Sequence, residues 1–465
     1  MNSNRIDDAT GSDLVVVANR LPVRWVGDQW ETSPGGLVRA LAPILSAREG
    51  AWVGWAGGTD NKTSRFRHEQ IDQIPVALSS DEIDSFYLGF CNGTLWPLYH
   101  DGIVTPVFHR HWWASYEKVN HRYASHVIDE VNPNGIVWVQ DYQLQLVPQI
   151  VRQQRPDAKI GFYLHTPFPP VEIFRRLPQR AEIVKGLLGS DVVAFQTRSS
   201  ATNFARCATL FGGAERQGRG VLGIDGRQVK LQRAPIGIDV SHFVELASSP
   251  EIQRAAIKLR SDMGNPDHMI LGVDRLDYTK GIRLRLKAIE TLLNWSKDKN
   301  IRYEYVQVAV PSRQEVPAYM ELRQDIEQVV GRINGDYARP GWSPIHYLYR
   351  NLSLPELVTY YVAADMMLVT PLRDGMNLVA KEYIASKVDR RGTLILSEFA
   401  GAAEQLQSAT LVNPFDVNAV ATALENSTTT DEDLVRRRMR ALFRTIQRED
   451  VYRWADRCLQ ALEAP

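Results

Sequence analysis

Short apolar runs that alternate with helix-like stretches, twice over, constrain this chain more than any other feature. In the first half the runs are LVVVA at 14–18, IVWVQ at 136–140, IGFYLH at 160–165 and VVAFQ at 192–196. The second half repeats the rhythm with MILGV at 269–273, YEYVQVAV at 303–310, DMMLVTP at 365–371 and TLILSE at 393–398. Strands that alternate with helices pair in parallel, so the expectation is an α/β protein of two parallel-sheet domains. At 465 residues the chain also exceeds one compact core. Between the halves, GRGVLGIDGRQVKLQRAPIGID carries glycines and an alternating VKLQ; it reads as a hairpin and connector and places the boundary near 240.

Charge narrows the chemistry. Lys plus Arg equals Asp plus Glu at 54 each, which excludes the basic excess that drives binding to nucleic acid or anionic membranes. Phosphate recognition, if present, has to be local. Cys91, Cys207 and Cys458 are few, odd in number and widely spaced, without a CxxC, which fits a reducing cytoplasm. The leading MNSNRIDDATGSD lacks the apolar core of a secretion signal and no later segment reaches the length of a membrane span, so the expected location is cytoplasmic.

Two motifs mislead. Gly218, Gly220 and Gly223 satisfy GxGxxG, yet a hairpin pattern follows them and not a helix, so the dinucleotide fingerprint is rejected. Asp431 and Asp433 form a DxD where a helix cap is expected. HRHWW at 109–113 offers two histidines without a third ligand, and no metal is assigned. No GxxxxGK[ST] phosphate loop occurs.

Polar groups at strand ends are more informative, because open α/β sheets bind ligands there. Gly35 and Gly36 precede an amphipathic helix pattern after NRLP, so Arg20 and backbone amides can meet an anion at one sheet end; a plain tight turn stays equally open. Arg275 and Lys280 leave a strand in VDRLDYTKG, and Arg313 leaves another in VAVPSRQE. Three cations so placed favour an anionic ligand over ordinary surface ion pairs. Asp141 in WVQDYQL and His165 in FYLHTPFPP end neighbouring strands and come close if those strands are adjacent. Trp52, Trp55, Tyr87, Trp96, Trp112 and Trp113 crowd one stretch of the first domain; most belong to the core, and some suit the apolar face of a sugar. TPLRDGMNLVAKEY at 370–383 places two acids, two bases and an amide at the mouth of a buried strand.

Taken in order, VVVANRLP, PGGL, WVGWAGG, LWPLYH, WVQDYQL, FYLHTPFPP, PIGID, VDRLDYTKG, GRINGDY and TPLRDGMNLVAKEY resemble the trehalose-6-phosphate synthase family, glycosyltransferase family 20, over nearly the entire chain. The resemblance implies a GT-B fold, with two Rossmann-like domains facing a central cleft. It implies an acceptor domain at 1–240, a nucleotide-sugar domain at 241–450 and a final helix at 451–465 crossing back to the first. The implied activity is a retaining, metal-independent transfer of glucose from UDP-, ADP- or GDP-glucose to glucose 6-phosphate, with no cofactor and with homo-oligomers possible.

The same resemblance assigns roles. Asp374 holds glucose hydroxyls beside Gly375, Met376 and Asn377; Leu378 and Val379 line the nucleotide and Glu382 holds the ribose. Arg275 and Lys280 neutralise the leaving diphosphate, with Gly35 and Gly36 on the donor as well. Arg20, Tyr87, Trp96 and Arg313 grip the acceptor phosphate, with Trp55 and Asp141 on the acceptor sugar and His165 near the donor's 6-hydroxyl. Leu352 and Ser353 depart from the aromatic residue and arginine of enterobacterial members, which leaves the donor base open. Competing expectations are a glucosylglycerol-phosphate synthase using glycerol 3-phosphate, a pseudo-glycosyltransferase joining cyclitols, and a non-catalytic sugar-phosphate-binding regulatory subunit.

Overall fold

The computed structural model describes residues 11–26, 29–32, 41–42, 45–59, 64–299, 301–314 and 316–463. It divides into two units, Met1–Pro235 with Tyr452–Pro465, and Ile236–Val451.

The first unit is built on β1 (Ser12–Arg20), β2 (Val23–Val26), β3 (Gln29–Thr32), β4 (Ala51–Trp55), β5 (Phe66–His68), β6 (Ile71–Pro75), β7 (Val131–Gln140), β8 (Lys159–Leu164), β9 (Val192–Phe195), β10 (Glu215–Gly218), β11 (Val221–Ile224) and β12 (Arg227–Arg233). Apart from the β2–β3 hairpin, these form one sheet in the order 10-11-12-9-8-7-1-4-6-5. Its centre, from β12 to β6, is parallel, and antiparallel strands close both edges. Covering a parallel sheet on both faces demands unbroken apolar strands, and β4 is buried at every residue. From β1 the chain steps outward through β4 to β6, then returns to lay β7 on the other side of β1 and continues through β8 and β9. That reversal leaves a crevice beyond the carboxyl ends of β1 and β7, where such sheets bind ligands.

The helix Val451–Glu463 packs into this unit. Trp454, Ala455, Cys458, Leu459 and Leu462 recur at helical spacing and all are buried. The Trp454 ring lies 5.3 Å from that of Trp138 on β7 and 5.1 Å from that of Tyr163 on β8. Leu462 sits so near Gly161 that a Cβ there would come within 2.7 Å of it.

The second unit holds β13 (His268–Arg275), β14 (Tyr303–Val310), β15 (Ile345–Leu348), β16 (Met366–Val369), β17 (Thr393–Ser397) and β18 (Thr410–Val412), all parallel, in the order 15-14-13-16-17-18. This is the strand order of a doubly wound dinucleotide-type sheet, with its switch point between β13 and β16. Its core joins Ile270, Tyr305, Leu368 and Ile395 from the strands to Leu286, Ile289 and Ile326 from the helices.

The misleading motifs resolve physically. Gly218 ends an edge strand and Gly220 turns the β10–β11 hairpin at φ +77°. Asp431 caps the helix Glu432–Arg448, its carboxylate accepting from the Leu434 amide at 3.0 Å. The rings of His109 and His111 lie 5.4 Å apart and both meet Trp112.

Candidate active site

At the switch point of the second unit, the loops leaving β13 and β16 are tied together. Asp277 accepts from the Thr279 amide at 2.9 Å and starts a short turn that ends at Gly281, which is left-handed at φ 66°. A Cβ on Gly281 would come within 2.5 Å of the Thr370 carbonyl, so only glycine allows the approach. The Leu372 amide donates to the Thr279 carbonyl at 2.7 Å. Beneath both loops lies Arg285, 1 % exposed, which donates to Thr370 Oγ1 at 2.9 Å, to Gln307 Oε1 at 3.0 Å and to the Lys280 carbonyl at 3.1 Å. Its ion pair with Asp274 at 2.5 Å anchors the cluster to β13. Burial pulls on the guanidinium, but Asp274 and Tyr305 outweigh it and hold its pKa above the ordinary arginine value.

This scaffold aims Lys280 at Asp374, Nζ to Oδ2 at 2.6 Å, with the two side chains 10 % and 15 % exposed. Asn377 Nδ2 donates to the same oxygen at 3.2 Å. Asn377 also caps the helix Leu378–Ser386, accepting from the Ala380 amide at 3.0 Å, with its backbone at φ 99°. Gly375 and Met376 are buried between these groups, and the Met376 carbonyl accepts from the Ala402 amide at 2.8 Å. Leu378 and Val379 are half-buried on the first turn of the helix. Glu382, one turn on, accepts from Tyr361 Oη at 2.8 Å, so the two acids of this motif have different partners.

Arg275 is exposed at the end of β13. Arg313 is held at φ 47° and donates to Asp277 Oδ2 at 2.9 Å, where Tyr319 Oη also donates at 2.9 Å. Burial alone would push the Asp277 carboxyl up; Arg313, Arg275 and Lys280 together overcome it and leave its pKa lowered. The three cations found at strand ends therefore act on one buried carboxylate, a concentration of positive charge at the sheet's carboxyl edge.

In the first unit, Arg20 ends β1 and lies over the Trp55 ring at 4.2 Å from its centroid and 5.6 Å from that of Tyr87. Gly57, at φ 99°, leaves the space Arg20 occupies: a Cβ there would come within 2.6 Å of its guanidinium. Tyr87 sits on a 13-residue helix, Ile83–Leu95, wound wider than an α-helix; the Trp96 amide at its end bonds back five residues to the Cys91 carbonyl. Such wide turns occur mostly as single turns, frequently at functional sites. Gly89 and Gly93 admit Trp112 against this helix. Trp96 is buried, its ring 4.1 Å from His100 and 5.8 Å from Tyr142, the residue after Asp141.

Asp141 and His165 do meet. Asp141, at φ 70°, accepts from the His165 amide at 3.1 Å, and His165 Nε2 faces Gln140 Oε1 at 3.0 Å. The imidazole lies 4.6 Å from the Tyr163 ring and 6.3 Å from that of Trp454. Burial lowers its pKa to about 3, so the ring is neutral near pH 7. Asp141, Arg313 and Asn377 are three of the chain's non-glycine residues with positive φ, a strain that costs about 1–3 kcal/mol each and gathers at functional sites.

Gly35 and Gly36 lie outside the described residues. Sequence reasoning missed Arg285, Tyr319, Tyr361, Gln140 and Trp454, and weighed Asp277 only as an ordinary ion-pair partner of the strand-end bases. Asp277 and Gln140 stand inside motifs already singled out, while Arg285 and Trp454 sit in ordinary helical patterns and carry no local signal. Among the described residues no three His, Cys, Asp or Glu side chains converge as a metal site would require.

The sequence profile of glycosyltransferase family 20 matches residues 12–464. A trehalose-6-phosphate synthase of Mycobacterium marinum is 48 % identical, over 97 % of this chain and 94 % of its own. A Burkholderia xenovorans α,α-trehalose-phosphate synthase (UDP-forming), solved in complex with glucose-6-phosphate, superposes with a TM-score of 0.89 at 30 % identity, covering 97 % of this chain and 100 % of that one. An E. coli structure with bound UDP-2-fluoro glucose superposes with a TM-score of 0.90 at 33 % identity, covering 97 % and 99 %.

Proposed function

The chain belongs to glycosyltransferase family 20, and on that premise we propose how its residues divide a retaining glucosyl transfer. It is a GT-B enzyme that makes trehalose 6-phosphate from a nucleotide-glucose donor and glucose 6-phosphate. The observation that carries the residue assignment is the Lys280–Asp374 pair at the switch point of the second sheet.

In this reading Asp374 accepts hydrogen bonds from the glucosyl hydroxyls. Lys280 and Arg275 face the diphosphate, and the amides at the start of the helix Leu378–Ser386 add their partial positive charge to it. As the bond from the sugar C1 to the diphosphate oxygen breaks, negative charge grows on the leaving group, and cations already in place lower that barrier without rearranging. Glu382 takes the ribose hydroxyls, with Tyr361 orienting it. Gly375, Met376, Asn377, Leu378 and Val379 shape the donor pocket; the donor role expected of Gly35 and Gly36 falls outside the described residues.

We assign Arg20, Tyr87, Trp96 and Arg313 to the phosphate of glucose 6-phosphate and Trp55 to the acceptor sugar. Asp141 orients the acceptor hydroxyls, and neutral His165 hydrogen-bonds the donor sugar without adding charge. The acceptor oxygen forms its bond to C1 on the face the diphosphate leaves, and its proton passes to the departing phosphate oxygen. The chain's part is positioning and charge stabilisation.

Ser353, where enterobacterial members place arginine, is engaged in capping the helix Leu354–Ala363, its hydroxyl in a box with Glu356. Base recognition then rests on fewer side chains, and we expect turnover with more than one nucleotide-glucose. We also place the reaction in the cytoplasm, a reducing compartment that suits the buried thiols of Cys91, Cys207 and Cys458.

The test is release of nucleoside diphosphate from UDP-, ADP- and GDP-glucose, each paired with glucose 6-phosphate, glycerol 3-phosphate or no acceptor, without added metal. Release that depends on glucose 6-phosphate and falls in Lys280→Met supports the assignment. Release that leaves Lys280→Met at wild-type turnover removes Lys280 from the site.

A further inference from the structure

The first unit also carries a cavity of about 530 Å³ walled by arginine. It lies between the helix Arg198–Phe211 and the β10–β11 hairpin, and its lining includes Arg198, Arg216, Arg219 and Arg233 but no aspartate or glutamate. Val221, Leu222 and Leu231 add apolar lining. The size falls within the ~300–1,000 Å³ usual for small-molecule pockets. None of its lining residues belongs to the reaction site proposed above.

Arg216 and Arg219, both exposed, bring two positive charges to the hairpin side of this cavity, and a multiply charged anion is the ligand that such charge favours. A phosphate group fits the planar forks of arginine with two parallel hydrogen bonds each. The backbone is open as well: a Cβ on Gly218 would meet nothing within 4 Å. Arg198 is the first helical residue after the Thr197 cap, at the positive end of a 14-residue helix dipole. The outer strand of the hairpin adds nothing to the core, since all four residues of β10 are exposed, whereas Leu222 on β11 is buried. What the hairpin contributes is two arginines held over an apolar floor. Arg233 also ends β12, two residues before the chain leaves the first unit at Pro235.

We propose that this cavity binds a phosphate-bearing small molecule through Arg216 and Arg219, with the molecule's apolar body on the half-buried Ala205 and Leu231, as a site separate from the one that transfers glucose. It is the use for the glycine-rich segment that the dinucleotide pattern falsely suggested.

Phenyl phosphate, a dianionic group on an apolar ring, is the probe. It is titrated calorimetrically into the full-length enzyme saturated with glucose 6-phosphate and a nucleoside diphosphate, so that the reaction site is occupied. One site is expected in the wild type, weakened at least ~tenfold in the Arg216→Ala/Arg219→Ala double variant and unchanged in Lys280→Met. On the wild-type protein, phenyl phosphate should also protect Arg216 and Arg219 from phenylglyoxal, read by mass spectrometry. Absence of binding at millimolar probe overturns the proposal, as does equal binding by the double variant or equal labelling with and without probe.

Discussion

Replacing Lys280 with methionine keeps the aliphatic stem and removes the ammonium from Asp374. At 2.6 Å and an effective dielectric of about 20, the gross attraction is about 6 kcal/mol, before the cost of drying two charges is subtracted. Breaking a fully buried pair costs about 3–5 kcal/mol. Here both groups keep some water and Asp374 keeps the Asn377 amide at 3.2 Å, so the expected loss of folding stability is smaller, about 2 kcal/mol. The effect on catalysis is larger. A preorganised cation aimed at a developing oxyanion contributes about 3–4 kcal/mol, or roughly 10²–10³ in turnover. It acts as charge develops, so kcat should fall more than KM rises. Urea unfolding measures the first effect and steady-state nucleoside diphosphate release the second. In a double variant with Asp374→Asn, the stability loss should be less than the sum of the two single losses, because either change already breaks the pair. A kcat within ~threefold of wild type would refute the assignment of Lys280 to the leaving group, and strictly additive stability losses would refute the pairing itself.

Arg313→Ala should raise the KM for glucose 6-phosphate by about 10–100-fold, the worth of a charge-assisted hydrogen bond to phosphate; an unchanged acceptor response would remove Arg313 from that phosphate. Because burial holds His165 near a pKa of 3 against about 6.5 unfolded, the unfolded state takes up the proton first. The stability from neutral His165 is complete above about pH 6.5 and lost as pH falls toward 3. Wild type should therefore lose roughly 1–2 kcal/mol more than His165→Asn between pH 7 and pH 5, and parallel urea profiles for the two would contradict this. Arg285→Met leaves Asp274 buried without its partner and should cost about 3–5 kcal/mol of stability; a change below ~1 kcal/mol would show that the loops do not depend on it.

Fold class and the strand-end chemistry were legible from residues alone, because both follow from local rules. Unbroken apolar strands between amphipathic helices admit little besides covered parallel sheets, and a polar residue at the end of such a strand stands at the carboxyl edge, where ligands bind. Arg275, Lys280, Asp141, His165 and Asp374 could be singled out on that ground. The roles proposed for them rest on the ordered motifs of a family, which no single motif conveys. What only the tertiary structure decided are the partnerships. Strand order brings the loop after β13 beside the loop after β16, across roughly ninety intervening residues, so that Lys280 meets Asp374 and Arg285 bolts the two loops together. The pairing of Arg313 with Asp277 and the return of Trp454 beneath His165 are likewise contacts between distant segments. Local periodicity carries no information about which distant elements become neighbours; that is set by the packing of whole sheets and helices, where a buried charge must find its counter-charge and an aromatic ring its neighbour.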